Sequence, residues 1–335
     1  MNTSYIPCPM AFNTTKYFII PVFSIVLTAG LPLNFLALLA LVSQIKSSIV
    51  LSVYILNLVL ASLLQTLTLP FWIAYTYHDH HWNTGQEACV VVAMIFLTNF
   101  YAKNSFLCLI AMERYIGLVH PLKFHRLHSM CGAFIVSIAT WLLVAAMCGI
   151  GLWLQMKGSG TWQEHCLDGS QLGKDHAHFK MATLSLSFFK PCILMGFFYS
   201  RVLTVVRKVE SLQQRVKRKV CGFIFFINIS FFLLCIPFQA TSWYKYYWEL
   251  MLEEDKVCDL DRSTFIYTYT TWCLTTLDNI LNPLLYTLLL KDVWAEIKDQ
   301  LSFRARGTGI IYELEPQDLP PHSITGQTQE QLIGL

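Results

Sequence analysis

The chain has 335 residues, of which 55% are hydrophobic and only 13% are charged, and its mean hydropathy is +0.48. Because soluble domains carry about 25% charged residues, this composition indicates a membrane protein. The formal net charge of +3 is too small to favour nucleic-acid binding, so we expect no nucleic-acid partner and give more weight to where the charges lie.

A polar N-terminal stretch, residues 1–16, contains two glycosylation sequons, at Asn2 and Asn13, which are modified only on the lumenal side of a membrane. Seven apolar runs follow, at residues 17–43, 50–77, 90–118, 130–153, 181–206, 219–243 and 265–290. Each is long enough to cross a bilayer, which takes about 20 helical residues. The sequence therefore predicts an all-α membrane protein with a seven-transmembrane helix bundle over residues 17–290. No cleavable leader precedes the first run, so we expect that run to stay in the membrane as a signal anchor.

The basic residues indicate which side of the membrane is cytoplasmic. With the N-terminus outside, the inner segments hold about twice as many lysines and arginines as the outer ones, as the positive-inside rule requires. Residues 291–303 then form a predicted amphipathic helix on the inner lipid surface, and residues 304–335 a disordered cytoplasmic tail. The basic residues and the sequons both predict a multi-pass protein with an extracellular N-terminus.

Each apolar run carries a distinctive residue or short motif. In chain order these are Asn34, Asn57, Glu113-Arg114-Tyr115, Trp141, Pro191 with Tyr199, Phe231 with Pro237, and Asn282-Pro283-Leu284-Leu285-Tyr286. In this order they resemble the rhodopsin-like (class A) G-protein-coupled receptors, and the resemblance covers residues 17 to roughly 300. It implies a plasma-membrane receptor that binds a heterotrimeric G protein, with arrestin as a further candidate partner, and that has no catalytic residues, metal or cofactor.

The resemblance also implies roles for individual residues. Those implied in activation and G-protein coupling are Glu113, Arg114, Tyr115, Tyr199, Phe231, Pro237, Asn282, Pro283 and Tyr286. Four of the eleven cysteines lie in outer, oxidising segments, and the resemblance implies a Cys89–Cys166 disulfide, which leaves Cys8 and Cys258 as a second pair. In many receptors of this family, the arginine of the third helix forms an ion pair with an acidic residue at the inner end of the sixth helix. Here that region, 215–219, is basic, which predicts raised basal activity.

The centre of the bundle departs from the family pattern. Ser62 stands where rhodopsin-like receptors usually carry the aspartate that holds a sodium ion, and Lys103 lies in the middle of the third run. An unpaired lysine at this depth is costly, and Asp278 is the acid of the predicted spans at matching depth. We hypothesise that a Lys103–Asp278 ion pair replaces the sodium site; the alternative is that Lys103 snorkels or is neutral. Lys190, in the fifth run, is also unusual and has no evident partner.

The outer half of the predicted bundle indicates the ligand class mainly by exclusion. Phe96 and Leu97 stand where amine receptors have an anchoring aspartate, which argues against an amine ligand. The outer part of the seventh run lacks the lysine that binds retinal as a Schiff base. The sixth run lacks the histidine and the basic residue that nucleotide receptors use to bind their ligand. The remaining candidates favour an apolar or amphipathic small-molecule or lipid ligand. They are Trp72, Tyr75, Phe96, Phe100, Tyr101, Phe238, Gln239, Tyr269 and Trp272.

Histidines are concentrated in the outer segments. Six of the ten lie there, close to acidic residues: His78, His80, His81, His165, His176 and His178. Since histidine changes charge near pH 6.5, they are candidate proton sensors; the alternative is that they are simply solvated. The motif at 67–72, the pair His81-Trp82 and the pair Phe100-Tyr101 resemble the acid-sensing and lysolipid-responsive receptors of the purinergic-like branch.

These observations favour a receptor that transduces an extracellular signal, protons and/or a lysolipid-like amphiphile, to G proteins. A peptide or chemokine receptor of the same family is the alternative, because of the proposed bridge from the N-terminus and the acidic run at 253–255. A different class is a seven-span transporter or channel, in which Lys103 and Asp278 would lie on a substrate path. The sequence has no internal repeat or Gly-rich half-helix to favour that class. A non-signalling scavenger or dimer partner is disfavoured by the intact motifs at 113–115 and 282–286.

Overall fold

The computed structural model describes residues 10, 12–45, 50–119, 129–158, 166, 174–208 and 214–284, and within these ranges the chain forms seven helical spans and no strand. The first span, α1, consists of Phe12–Ile25, a π-helical turn at Val26–Gly30 and Leu31–Ile45. The others are α2 (Val50–Tyr77), α3 (Gln86–Val119), α4 (Met130–Gly158), α5 (Lys174–Lys208), α6 (Gln214–Met251) and α7 (Glu254–Thr275), which continues after a turn as helix 278–284.

The predicted helix bundle is confirmed, but most helices are longer than the apolar runs that predicted them. α1 begins at Phe12, α5 at Lys174, and α6 continues to Met251. A helix satisfies its own backbone hydrogen bonds whatever its side chains are, so it extends past the apolar section into polar surroundings. Six of the helices are long and apolar enough to cross a membrane; α7 is the exception because its first half, 254–262, carries six charged residues.

The third helix lies at the centre of the bundle. α3 packs against α2, α4 and α5, while α7 packs against α6 and α1. The apolar sections of α2 and α3 are mostly buried, whereas α4 exposes most of its apolar surface, as expected for a helix at the lipid boundary. Polar contacts fix neighbouring helices: the Trp141 indole N–H of α4 donates to the Asn57 side-chain oxygen of α2 over 2.9 Å.

We name the two ends of the bundle from its disulfide. Cys89, at the start of α3, is bonded to Cys166, and both are fully buried, so residue 166 is held against the top of the bundle. We call this end the outer end and the opposite end the inner end. Cys258 in α7 is also disulfide-bonded, and Cys8, its predicted partner, lies outside the described residues.

Several predictions fall on residues that the structure does not describe. These are the sequon at Asn2, Cys8, His165, Tyr286, the amphipathic helix 291–303 and the tail 304–335. Asn13, the second sequon, is exposed in the first turn of α1, where its side chain is accessible for modification.

Candidate functional site: a central polar cluster and an outer cavity

A buried lysine forms the centre of a polar cluster between α2, α3 and α7. The Lys103 side chain is 1% exposed, and its ammonium donates to Asp278 Oδ1 over 2.6 Å, to Gln65 Oε1 over 2.5 Å and to Asn279 Oδ1 over 2.9 Å. An ammonium has three N–H donors, so these three acceptors satisfy it completely. The structure therefore brings Lys103 and Asp278 together and adds two amide side chains that the sequence did not single out.

The cluster continues to α1 through amide groups. The side-chain amide of Asn279 donates to Gln65 Oε1 over 3.1 Å. The backbone carbonyl of Asn279 accepts a hydrogen bond from the side-chain amide of Asn34 over 2.6 Å. The helices are close at this point: a Cβ at Gly30 would lie 3.4 Å from the Asn279 carbonyl oxygen. Hydrogen bonds thus join four helices, α1, α2, α3 and α7, in the interior of the bundle.

Ser62 does not take part in this cluster. It is fully buried, and its hydroxyl has no hydrogen-bond partner among the described residues. Gln65 lies three positions further along α2, on the same helix face, and its longer side chain reaches Lys103 where the serine hydroxyl does not. The structure therefore assigns the α2 contact of the cluster to Gln65.

An outer cavity of about 150 Å³ lies above this cluster. Of the nine predicted pocket residues, four line it: Trp72, Phe238, Tyr269 and Trp272. Phe96 lies behind them, with its ring centroid 4.8 Å from that of Trp272. These aromatic rings are held by edge-to-face contacts, such as the 5.5 Å contact between Trp72 and Trp272, and they form an apolar wall.

The other four predicted pocket residues do not line this cavity. Tyr75 packs against His80, with 4.9 Å between ring centroids, and Phe100 packs below Phe238 at 5.7 Å. Tyr101 faces a separate crevice between α3, α4 and α5. Gln239 donates to Ser187 Oγ over 3.2 Å and so joins α6 to α5.

Charged residues line the same cavity and were not predicted. Lys245 of α6 forms an ion pair with Asp261 of α7, with 2.9 Å between Nζ and Oδ1, and Asp261 is only 4% exposed. Lys180 of α5 also lines the cavity, and its ammonium has no hydrogen bond or ion pair among the described residues. Among the residues that the structure describes, the cavity thus combines an aromatic wall with one ammonium, that of Lys180, without a partner.

The outer histidines fall into two groups. His78, His81 and His178 are exposed, whereas His80 and His176 are buried to 0% and 1% exposure. His80 Nε2 is hydrogen-bonded to Thr15 Oγ1 at 2.9 Å, and the ring packs among four aromatic residues of three segments. Those residues are Phe12, Tyr75, Phe265 and Tyr269.

His176, in the first turn of α5, is buried in a different way. Its ring packs against Tyr246 of α6 at 5.9 Å, and neither ring nitrogen has a hydrogen-bond partner among the described residues. The cations Lys180 and Lys245 lie within electrostatic range of the ring. Within the described part of the chain, His176 is therefore a buried polar group without a hydrogen bond, which is costly.

The inner end holds the residues that the resemblance assigns to G-protein coupling. Tyr115 packs against Phe198 of α5, with 5.2 Å between ring centroids, and Tyr199 is buried within electrostatic range of Arg114. The inner ends of α3 and α5 are thereby in contact. Phe231 of α6 stacks on Phe188 of α5, and Pro237 lies within α6. Asn282 and Pro283, in the continuation of α7, are buried.

Comparisons with known proteins agree with this architecture. The sequence matches the family described as 7 transmembrane receptor (rhodopsin family) over residues 33–286. It is 26% identical to the human probable G-protein coupled receptor 132 over 287 residues, which is 83% of this chain and 72% of that protein. It is also 26% identical to the human G-protein coupled receptor 65 over 291 residues, 83% of this chain and 85% of that protein.

A third relative, the G-protein coupled receptor 68 of Bos taurus, is 26% identical over 330 residues, which is 94% of this chain and 87% of that protein. The family match covers more than half of the chain and includes α2 to α7, together with the motifs at 113–115 and 282–286. The chain is therefore a multi-pass membrane protein without enzymatic activity, and it belongs to the rhodopsin family of seven-transmembrane G-protein-coupled receptors.

Proposed function

We propose that this receptor responds to extracellular protons and transmits the response to a G protein. The observation that carries the proposal is the burial of two outer histidines, His80 and His176, at contacts between helix ends. Family membership supplies G-protein signalling and argues against the transporter alternative. The two histidines, together with the resemblance to acid-sensing receptors, support protons as the signal.

The proposed mechanism follows from the cost of a buried charge. A proton on a buried imidazole places a positive charge where water cannot solvate it. Burial and the nearby cations Lys180 and Lys245 lower the pKa of the His176 ring. A conformation in which the end of α5 separates from α6 and hydrates this ring is therefore favoured as pH falls, and acidification shifts the population toward it.

Replacing both buried histidines is expected to remove most of the acid response. The variant His80→Gln/His176→Phe keeps side-chain size but does not gain a proton, so the rise in G-protein activation that we expect between about pH 8 and pH 6 should flatten. The matched control, His78→Gln/His178→Gln, changes two exposed histidines and should respond like the natural receptor. Activation is read in cells whose surface receptor level is measured in parallel. An equal acid response of both variants at equal surface level would refute the proposal.

A second candidate signal is a lysolipid-like amphiphile, favoured by the Lys180 ammonium in the aromatic outer cavity, which has no partner in the described part of the chain. In this proposal the anionic head group pairs with Lys180, and the apolar chain leaves the small cavity along the wall formed by Trp72 and Trp272. A peptide ligand is the alternative occupant of the same cavity.

The variant Lys180→Met is expected to weaken activation by lysophosphatidic acid about tenfold or more, because a charge-assisted hydrogen bond contributes about 1.5–3 kcal/mol. Lys180→Arg should retain most of the response. The control is Lys174→Met, which replaces an exposed lysine on the same helix and should retain all of the response. Concentration–response curves for G-protein activation measure the shift. Equal potency on Lys180→Met and the natural receptor would exclude this site.

A further inference from the structure

A lysine at the middle of α5, Lys190, lies far from the outer cavity. Lys190 is exposed on the bundle surface and has no hydrogen bond or ion pair among the described residues. It is nine residues from the outer limit of the apolar section at 181, or about 13 Å along the helix, and farther from the inner limit at 206. A lysine side chain is shorter than this, so snorkelling does not bring its ammonium to the membrane surface.

Lys190 borders a crevice between α3, α4 and α5 that has a volume of about 520 Å³. This volume lies within the range of about 300–1,000 Å³ that small-molecule sites occupy. The walls are mostly apolar and include Leu143 and Met147 of α4 and Leu186 and Leu194 of α5. Because Leu143 and Leu186 are exposed on the lipid-facing side, the crevice is open to the bilayer.

These two features match an occupant with one negative charge and a long apolar chain. An uncompensated lysine in the hydrocarbon region is costly, and intramembrane lysines are accordingly paired. We propose that the crevice binds a free fatty acid from the membrane, with its carboxylate on the Lys190 ammonium and its acyl chain between α4 and α5. A single ammonium matches the single charge of a carboxylate, whereas the phosphate of lysophosphatidic acid would leave a further negative charge in the hydrocarbon region, where water does not solvate it.

The proposal predicts covalent labelling of the crevice by a photoactivatable fatty acid. The purified receptor is placed in nanodiscs of phosphatidylcholine, exposed to a diazirine analogue of stearic acid, irradiated and digested, and the labelled peptides are identified by mass spectrometry. We expect label on the α4 and α5 segments that contain Leu143 and Leu186. Oleic acid should compete for this label, whereas oleyl alcohol, which has the same chain without the charge, should not.

Substitutions at the crevice separate charge from shape. Lys190→Met should reduce the label in these segments about tenfold or more, whereas Lys190→Arg should keep most of it. The control is Lys157→Met, which replaces an exposed lysine at the end of α4 and should keep all of the label. If Lys190→Met does not fold, as judged by its thermal unfolding, Leu186→Trp retains the lysine, fills the crevice and should lose the label equally. Undiminished labelling of Lys190→Met, or equal competition by oleyl alcohol, would overturn the proposal. Stronger competition by lysophosphatidic acid than by oleic acid would overturn the choice of a carboxylate.

Discussion

Replacing Asp278 with asparagine is expected to destabilise the receptor by about 3–5 kcal/mol, since it leaves the buried ammonium of Lys103 without a countercharge. The amide of the new side chain still offers an oxygen, so the loss is one of charge and not of hydrogen-bond geometry. We propose that this pair takes the place of the family's sodium site, with a lysine nitrogen as the internal cation. If Lys103 were neutral, the asparagine would cost little.

Thermal unfolding of the purified receptor and its surface level measure this effect, and a double-mutant cycle identifies its cause. Asp278→Asn and Lys103→Met should each lower stability strongly, while the double variant should be more stable than either single variant, because it contains no unpaired charge. Additive losses in the double variant, or normal folding and signalling of Asp278→Asn alone, would show that the two charges do not form a functional pair.

Replacing Arg114 with alanine is expected to reduce G-protein activation to the level of cells without the receptor, at every pH. The resemblance to rhodopsin-like receptors assigns this arginine to the G-protein contact at the inner end of α3, where α3 and α5 pack together through Tyr115 and Phe198. Activation assays at matched surface level test the expectation. Arg201→Ala is the control, because Arg201 is an exposed arginine in the inner half of α5 and lies over the ring of Phe197 at 5.7 Å.

Two outcomes of this comparison would contradict the assignment. Signalling that persists in Arg114→Ala would mean that the arginine is not needed for coupling. An equal loss in Arg201→Ala would mean that any change of charge near the inner end of α5 abolishes the signal.

The sequence predicted the spans and the family because hydropathy and short motifs are local properties of the chain. It also pointed to Lys103 and Asp278, since a charge inside the membrane needs a partner and few acids are at the right depth. The amide side chains Gln65 and Asn279 were missed, because neutral polar residues occur widely in membrane helices and nothing in their spacing shows which of them meet a lysine.

The charges of the outer cavity were missed for a different reason. Lys180 lies one residue before the predicted fifth span, and Lys245 lies two residues beyond the predicted sixth. Hydropathy excludes such residues from the spans, yet the helices continue through them and carry their side chains to the cavity. The outer histidines were predicted as one group, and only the packing of helix ends distinguishes the buried His80 and His176 from the exposed ones.

The basal activity predicted from the basic region at 215–219 stays a prediction. Of its basic side chains the structure describes Lys217, which is half-buried, and Arg218, which is exposed. A receptor of this kind should activate its G protein to some extent without any ligand, and a defined membrane allows that level to be measured.

The most direct test of proton sensing is nucleotide exchange on a purified G protein by the purified receptor, reconstituted in phosphatidylcholine membranes free of lysolipids and fatty acids. The exchange rate is measured from about pH 8 to pH 6, with a G protein alone and with Arg114→Ala receptor as controls for the intrinsic effect of pH. We expect a measurable rate at pH 8 that rises as the pH falls through the titration range of histidine. A rate that does not change with pH, in a receptor that still activates the G protein when an amphiphile or peptide is added, would contradict proton sensing.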